Sequence, residues 1–448
     1  MTFILFGGTG DLVKRKLVPA FSQLVHNNVI GKNSAIIGIS RKPLTDSQYK
    51  EFLSNSLNGE EKNHIKNLNI QYFKGDFENS GLYGLKELIE KSEMEASDRI
   101  FYLSTSFRFF PGIVKELKLQ GLHKKTNRIV FEKPFGNDLK SSELLDSEIH
   151  SVFNEKEVYR IDHYLAKGTV QNLNVLKFTN PILYSGFGNR SIEEISLTID
   201  ESLGVESRLE FYNEAGAIKD MIQSHLLQVL SLILMERPES FEPDKIHDAK
   251  VKVLKNLKVS SSKENLIGQY DSYSKELKSL GLQNKNTETF AKIILDCKME
   301  RWKGVKLILR TGKKLEKKFG FIKIKFKTPH EKFLKGFSGA KDNEIIIGIY
   351  PAQDVTIWMN TRTPEQNNEV KPVKFEFCQE CEFGPNTTYE YAVLLEEIIK
   401  GDKTLFTRSD EVKESWKIAE QIEKMRNKIR FVKYRDGSNP EKITSKLL

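Results

Sequence analysis

Short apolar segments alternate with amphipathic ones through the first third of the chain, and six strand-like segments follow one another in the second half. These two patterns predict an α/β domain followed by an α+β domain with a large, mainly antiparallel sheet. Length is the third observation: 448 residues exceed one ordinary domain. The boundary is placed at 162, giving domains 1–162 and 163–448.

The α/β reading rests on "TFILF", "SAIIGIS", "IQYFKG", "RIFYLS" and "NRIVFEKP" as strands. Helices are expected from about Lys16, from Thr45, from Tyr83 and before Asn127. The segment "EAGAIKDMIQSHLLQVLSLILMERP" is the longest helix candidate. After it come "TFAKIILDC", "VKLILR", "FIKIKF", "EIIIGIY", "VTIWMN" and "VKFEF", strands without helices between them. Residues Ser260 to Asn286, rich in Lys and Ser, read as a surface excursion. Two helices, Tyr389 to Lys400 and Asp410 to Met425, are expected to close the chain.

Composition narrows the function classes. Hydrophobic residues make up 39% of the chain, enough for real cores, and 70 basic residues are balanced against 61 acidic ones along its length. No block of Lys and Arg interleaved with aromatics stands out, which argues against a nucleic-acid partner. The most apolar run, "LLQVLSLILM", is about half a membrane span. No membrane association and no signal peptide are expected. Three cysteines, Cys297, Cys378 and Cys381, are too few for a disulfide framework, so a reducing, cytoplasmic compartment and plain structural thiols are expected. No metal is expected either, since no ligand cluster stands out in the sequence.

"FILFGGTGDLVKRKLVPAF" runs a strand into Gly7, Gly8, Thr9 and Gly10, then Asp11, Leu12 and a helix. Glycines let the backbone approach a pyrophosphate, and the helix start offers N–H groups, so this reads as a Rossmann-type dinucleotide site. The G-x-G-x-x-G spacing is imperfect. The second strand ends in Ser40, Arg41 and Lys42 where an NAD site would carry a carboxylate. Two cations there favour the 2′-phosphate of NADP.

"YRIDHYLAKGTVQNL", Tyr159 to Leu173, gathers Arg160, Asp162, His163, Tyr164 and Lys167. Arg160 and Asp162 could simply pair with each other. His225 lies on the long helix candidate five residues after Asp220, about 140° away on an ideal α-helix. A neutral histidine is suited to accept an alcohol proton, with a carboxylate to orient it. An isolated helical histidine could equally serve the core.

Taken together, "GGTGDLVKRKLVPAF", "FEKPFGNDL", "RIDHYLAKGTVQNL", "FYNEAGAIKDMIQSHLLQVLSL", "ERWKGVKLILRTGKKL" and "FTRSDEVKESW" resemble the successive motifs of the glucose-6-phosphate dehydrogenase family, in the family's order. The resemblance implies oxidation of glucose 6-phosphate at C1, the first step of the oxidative pentose phosphate pathway, with NADP. It implies His225 as general base with Asp162 pairing to it. His163, Tyr164, Lys167 and Lys318 match positions that hold the sugar phosphate. Glu201, Asp220 and Lys313 match positions that bind sugar hydroxyls. Lys16 and Lys133 match lysines that lie between cofactor and substrate, and a cis Lys133–Pro134 bond is implied. So is a homodimer or a dimer of dimers. Three departures stand out: Ala166 and Gly168 flank Lys167, "FYLSTSF" replaces a Pro-containing loop, and Tyr350 replaces a sugar-contacting glutamine. The altered residues beside Lys167 and at Tyr350 keep open an oxidoreductase for another aldose phosphate, and a nucleotide-binding scaffold that has lost its chemistry is the non-enzyme alternative.

Overall fold

The computed structural model describes residues 1–448 except 32–33, 78–80, 94–97, 329–330, 365–367, 385–387 and 445–448. The chain divides into two compact units. Unit 1 comprises Met1–Ala166, Phe241–His247 and Thr387–Lys413, and unit 2 comprises Lys167–Ser240, Asp248–Asn386 and Glu414–Leu448.

In unit 1, β1 (Thr2–Phe6), β2 (Ala35–Ser40), β3 (Asn69–Lys74), β4 (Arg99–Leu103), β5 (Arg128–Phe131) and β6 (Val158–Ile161) pair in parallel, in the order 6-5-4-1-2-3. This is the doubly wound order, in which the crevice beyond the strands' carboxyl ends, where the sequence direction reverses beside β1, serves ligands. Period-2 alternation makes the two layers. Phe3, Leu5, Ile36, Ile100, Tyr102 and Ile161 face one apolar layer, while Ile4, Phe6, Ile37, Phe101 and Phe131 face the other. The helix Asp46–Ser54 begins where Thr45 caps it, its side chain accepting from Gln48 N–H while Gln48 answers from its own side chain.

Unit 2 holds β7 (Ile192–Asp200), β8 (Leu257–Val259), β9 (Leu266–Tyr270), β10 (Phe290–Cys297), β11 (Lys306–Gly312), β12 (Phe319–Phe326), β13 (Glu344–Tyr350), β14 (Asp354–Arg362) and β15 (Val370–Cys378). Later in the chain, β16 (Phe406–Thr407) returns to unit 1 and lies antiparallel against β6, Phe406 opposite Ile161. β17 (Arg430–Tyr434) completes the unit 2 sheet, whose order is 15-14-13-12-7-11-10-9-17, with β8 paired to β10. Antiparallel pairs dominate, as expected. The pairs of β7 with β11 and β9 with β17 are parallel.

Three expectations are corrected here. The Lys/Ser-rich stretch is not a surface excursion: it contains β9, buried along its whole length, and the helix Tyr273–Ser279, and both enter a core with Tyr212, Phe290 and Tyr434. Its polar residues flank the five buried residues of β9 and mask them. The chain does not close on two helices, because β17 and the helix Glu441–Thr444 follow. Cys378 and Cys381 form a disulfide instead of staying plain thiols, Cys378 standing at the N-cap of the short helix Gln379–Phe383. Among the described residues, no helix is long and apolar enough to cross a membrane.

Candidate active site

In unit 1, β1 delivers the chain into the glycine turn. Gly7 has φ +85°, and a Cβ there would lie 2.5 Å from the Ser104 carbonyl oxygen. Only glycine fits, because the turn is both left-handed and pressed against the end of β4. Gly7 and Gly8 N–H donate to the Ile39 carbonyl at 3.0 and 2.9 Å, and Gly10 N–H closes back on Gly7 O at 2.8 Å. The helix after the turn opens with one π-helical stretch, Val13–Leu17, which carries Lys16 on its exposed side. Asp11 is exposed and pairs with Arg15 at 2.8 Å.

Thr9 reaches across to the end of β2, its hydroxyl donating to Ser40 Oγ at 3.0 Å. Ser40 Oγ also meets Tyr72 Oη at 2.7 Å, and Tyr72 Oη donates to the Lys42 carbonyl at 2.6 Å. Arg41 and Lys42 themselves are exposed. The carboxylate nearest in sequence, Asp46, accepts from the Tyr72 N–H at 2.7 Å and is thereby turned to a structural task.

After β5 the chain passes Glu132, Lys133 and a cis Lys133–Pro134 bond. Glu132 Oε1 accepts from Tyr102 Oη at 2.5 Å. Burial raises its carboxyl to about 7, against the opposing hydrogen bonds of Tyr102 and Tyr391 and the charge of Lys133; Asp162 pushes in the same direction as burial. The Glu-Lys-Pro motif in the sequence points to no role for Glu132. Its position at the carboxyl end of a central parallel strand was the available signal.

Asp162 follows β6, is 3% exposed, and accepts the Tyr164 N–H at 3.0 Å through Oδ1. The His163 and Tyr164 rings lie 5.0 Å apart, His163 partly exposed and Tyr164 buried. Arg160 does not pair with Asp162. It is directed to Asp146 at 2.5 Å and Glu155 at 2.7 Å. His150 joins the same cluster, with Nε2 2.9 Å from Glu155 and Nδ1 3.3 Å from Asp146. Three ligand-type groups, Asp146, His150 and Glu155, lie within 4.8 Å of one another. Arg160 already neutralises both carboxylates, so a metal ion would meet a guanidinium there.

This cluster has a testable pH signature. Hydrogen bonds donated by its ring to Asp146 and then to Glu155 raise the His150 imidazole from 6.5 to about 10. Burial alone would raise Glu155, but the hydrogen bond to His150 and the charges of Arg160 and Lys403 outweigh it and bring the carboxyl to about 2. A raised folded-state value means that His150 stabilises fully below 6.5 and loses its contribution as pH climbs to about 10. The unfolding midpoints of wild type and His150→Asn are therefore expected to differ most near pH 6.5 and to converge by pH 10. A constant gap across that range would remove the ion-pair account.

Unit 2 supplies the other expected residues. His225 and Asp220 are buried, at 1% and 4% exposure. The long candidate helix is not continuous. Gly216 breaks it with φ +64°, a π-helical segment runs over Ile218–Leu226, and α-helix resumes over Leu227–Leu234. The 140° separation expected for Asp220 and His225 is therefore corrected. Hydrogen bonds in a π-helix span five residues, so residues five apart point in neighbouring directions.

Asp220 Oδ1 accepts from Arg208 at 3.0 Å, and Lys313 donates to Glu201 at 2.6 Å. The Lys313 ammonium stands 5.9 Å from the Tyr212 ring. Burial raises the Tyr212 phenol well above its ordinary value, helped by Asp220 and Glu288. Neither Arg208 nor Tyr212 was singled out from the sequence. At the same end of the sheet, where Gly312 and Phe319 both lie opposite Asp200, Lys167, at the N-cap of the helix Gly168–Phe178, and Lys318 both approach the Tyr350 ring, at 5.8 and 5.6 Å.

Two family models match the chain. Residues 4–172 match "Glucose-6-phosphate dehydrogenase, NAD binding domain", and residues 174–448 match "Glucose-6-phosphate dehydrogenase, C-terminal domain". The glucose-6-phosphate 1-dehydrogenase of Borreliella burgdorferi is 37% identical over 463 aligned residues, covering 99% of this chain and 95% of that protein. An Arabidopsis thaliana protein named "Glucose-6-phosphate 1-dehydrogenase 6, cytoplasmic" is 33% identical, covering 100% of this chain and 90% of its own. A solved glucose-6-phosphate dehydrogenase in complex with its substrate superposes with TM-score 0.88 at 29% identity, covering 99% of this chain and 96% of that one. With both of its halves matched and relatives above 30% identity along its whole length, the chain belongs to the glucose-6-phosphate dehydrogenase family.

Proposed function

We propose that the protein oxidises glucose 6-phosphate at C1 to 6-phosphogluconolactone with NADP. The observation that carries this reading is the convergence of Lys167 and Lys318, far apart in sequence, on the one ring of Tyr350. Two ammonium groups, each within 6 Å of one ring, favour an anion of phosphate size, and charge-assisted hydrogen bonds are the stronger kind. His163 and Tyr164 are assigned to the same phosphate. Glu201, Asp220 and Lys313 are assigned to the sugar hydroxyls, where carboxylates accept from hydroxyl donors and exclude apolar substrates.

His225 is assigned as the base that takes the C1 hydroxyl proton onto its imidazole, and Asp162 as the carboxylate that orients the ring and stabilises its charged form. Gly7, Gly8, Thr9, Gly10, Asp11 and Leu12 would hold the pyrophosphate side of the dinucleotide, with Arg41 and Lys42 on the 2′-phosphate and Lys16 and Lys133 toward the nicotinamide. The tight fit at Gly7 supports this, since a side chain there would fill the cradle. The dinucleotide, when bound, supplies the hydride acceptor. The cytoplasmic name of the Arabidopsis relative supports a cytoplasmic location. Met359, Phe375 and Phe377, between 40% and 56% exposed on β14 and β15, support a homodimer or a dimer of dimers through this sheet.

The reading is tested by steady-state rates with NADP and NAD against glucose 6-phosphate, its C4 epimer and unphosphorylated glucose. The expected order places glucose 6-phosphate with NADP first by a wide margin. A faster C4 epimer would transfer the assignment to another aldose phosphate, and no reduced cofactor with any sugar would mark a scaffold without chemistry.

A further inference from the structure

The segment that carries Asp220 and His225 begins in an unusual way. After the kink at Gly216, Ala217 N–H donates to the Glu288 carbonyl at 2.9 Å, and Ile218 N–H donates to Glu288 Oε1 at 3.1 Å. One residue, 2% exposed, thus satisfies two of the donors that a helix start leaves open, and it sets a carboxylate at the positive end of the helix dipole. The second oxygen, Oε2, accepts from Arg426 Nη2 at 2.6 Å, and the same nitrogen bonds the Asn286 carbonyl at 3.1 Å. A Cβ on residue 216 would fall 2.3 Å from Glu288 Oε1, so this glycine and this carboxylate are fitted to each other.

A buried carboxylate is costly unless it is paired and hydrogen-bonded, and every part of this arrangement offsets that cost. Its placement has a consequence for register. A π-helical stretch is a rare alternative to the α-helix, and Glu288 holds the point at which this one starts. If the segment relaxed to α-helix, Asp220 and His225 would swing from neighbouring directions to about 140° apart.

We propose that Glu288 is a positioning residue for the reaction: it anchors the start of the Ile218–Leu226 segment and so holds Asp220 and His225 in the register that the chemistry uses. The proposal rests on the reading of His225 as the base. Three variants test it, Glu288→Ala, Glu288→Gln and Gly216→Ala. The alanine variant is expected to lose about 100-fold in kcat/KM for glucose 6-phosphate, the scale of an ångström-sized misplacement, with KM for NADP unchanged. Glutamine keeps an acceptor for Ile218 and is expected to restore most of the loss. Gly216→Ala keeps the carboxylate but displaces it, and should fall with the first variant. A folded Glu288→Ala or Gly216→Ala protein with wild-type kcat/KM would overturn the proposal, as would a glutamine variant no better than alanine. Should Glu288→Ala fail to fold, Gly216→Ala and Glu288→Gln decide the matter. A lowered unfolding midpoint with unchanged kinetics would leave Glu288 a merely structural role and overturn it too. His225→Asn measured alongside separates the two failures: if that variant still turns over, the base is reassigned, while KM for the sugar phosphate, which depends on Asp220, still reports the register.

Discussion

Replacement of His225 by asparagine is expected to lower kcat by about 100- to 10,000-fold, the range ascribed to a positioned general base, while KM for glucose 6-phosphate changes little. The side chain is 1% exposed, and Met221, Ile222 and Leu226 around it on the same segment are buried. Asparagine is smaller than histidine, polar and able to hydrogen-bond, so it tests chemistry more than packing. It cannot accept a proton near neutral pH. The acid limb of the kcat/KM profile, where an imidazole base would become protonated and inactive, should vanish with the residue. If the variant retains wild-type turnover, the proton goes elsewhere. Glu132 is then the next group to test, because its carboxyl, raised by burial to about 7, is poised for proton transfer.

Much of this arrangement is legible in the amino-acid sequence. The odd and even residues of "TFILF" were bound to face opposite layers, because a parallel strand covered by helices on both sides buries both of its faces. The glycine turn was legible because only glycine tolerates the φ of residue 7 so close to Ser104. What was hidden depends on partners distant in sequence. Nothing local to "LIGQY" reveals that β9 pairs with both β10 and β17, and its polar flanks hid a buried strand. The register of Asp220 and His225 was misjudged because an ideal α-helix was assumed. The carboxylate that caps the start of this segment belongs to Glu288, 70 residues beyond Ile218. The partners of Arg160 are hidden for a related reason: Asp162 is only two residues away, whereas Asp146 and Glu155 reach the guanidinium from a neighbouring helix and a short 3-10 turn.

Removing Arg41 is expected to have the second large effect. Arg41→Ala should raise KM for NADP by about 10- to 100-fold, the loss of one or two charge-assisted hydrogen bonds to a phosphate, and leave KM for NAD nearly unchanged. The argument lies in how the end of β2 is occupied. An NAD-selective site keeps a carboxylate there for the ribose 2′-hydroxyl. Here the Ser40 hydroxyl is engaged by Thr9 and Tyr72, and Asp46 is held by the Tyr72 N–H. Two exposed cations therefore stand where that carboxylate would be, and a 2′-phosphate complements them electrostatically. Lys42, whose ammonium lies 6.0 Å from the Phe52 ring, retains one charge in the variant, so selectivity should be reduced and not inverted. The two cofactors differ only in the phosphate, which makes the ratio of their KM values insensitive to general damage. A variant that weakens both cofactors equally would turn Arg41 away from the phosphate and leave the discrimination to Lys42 alone.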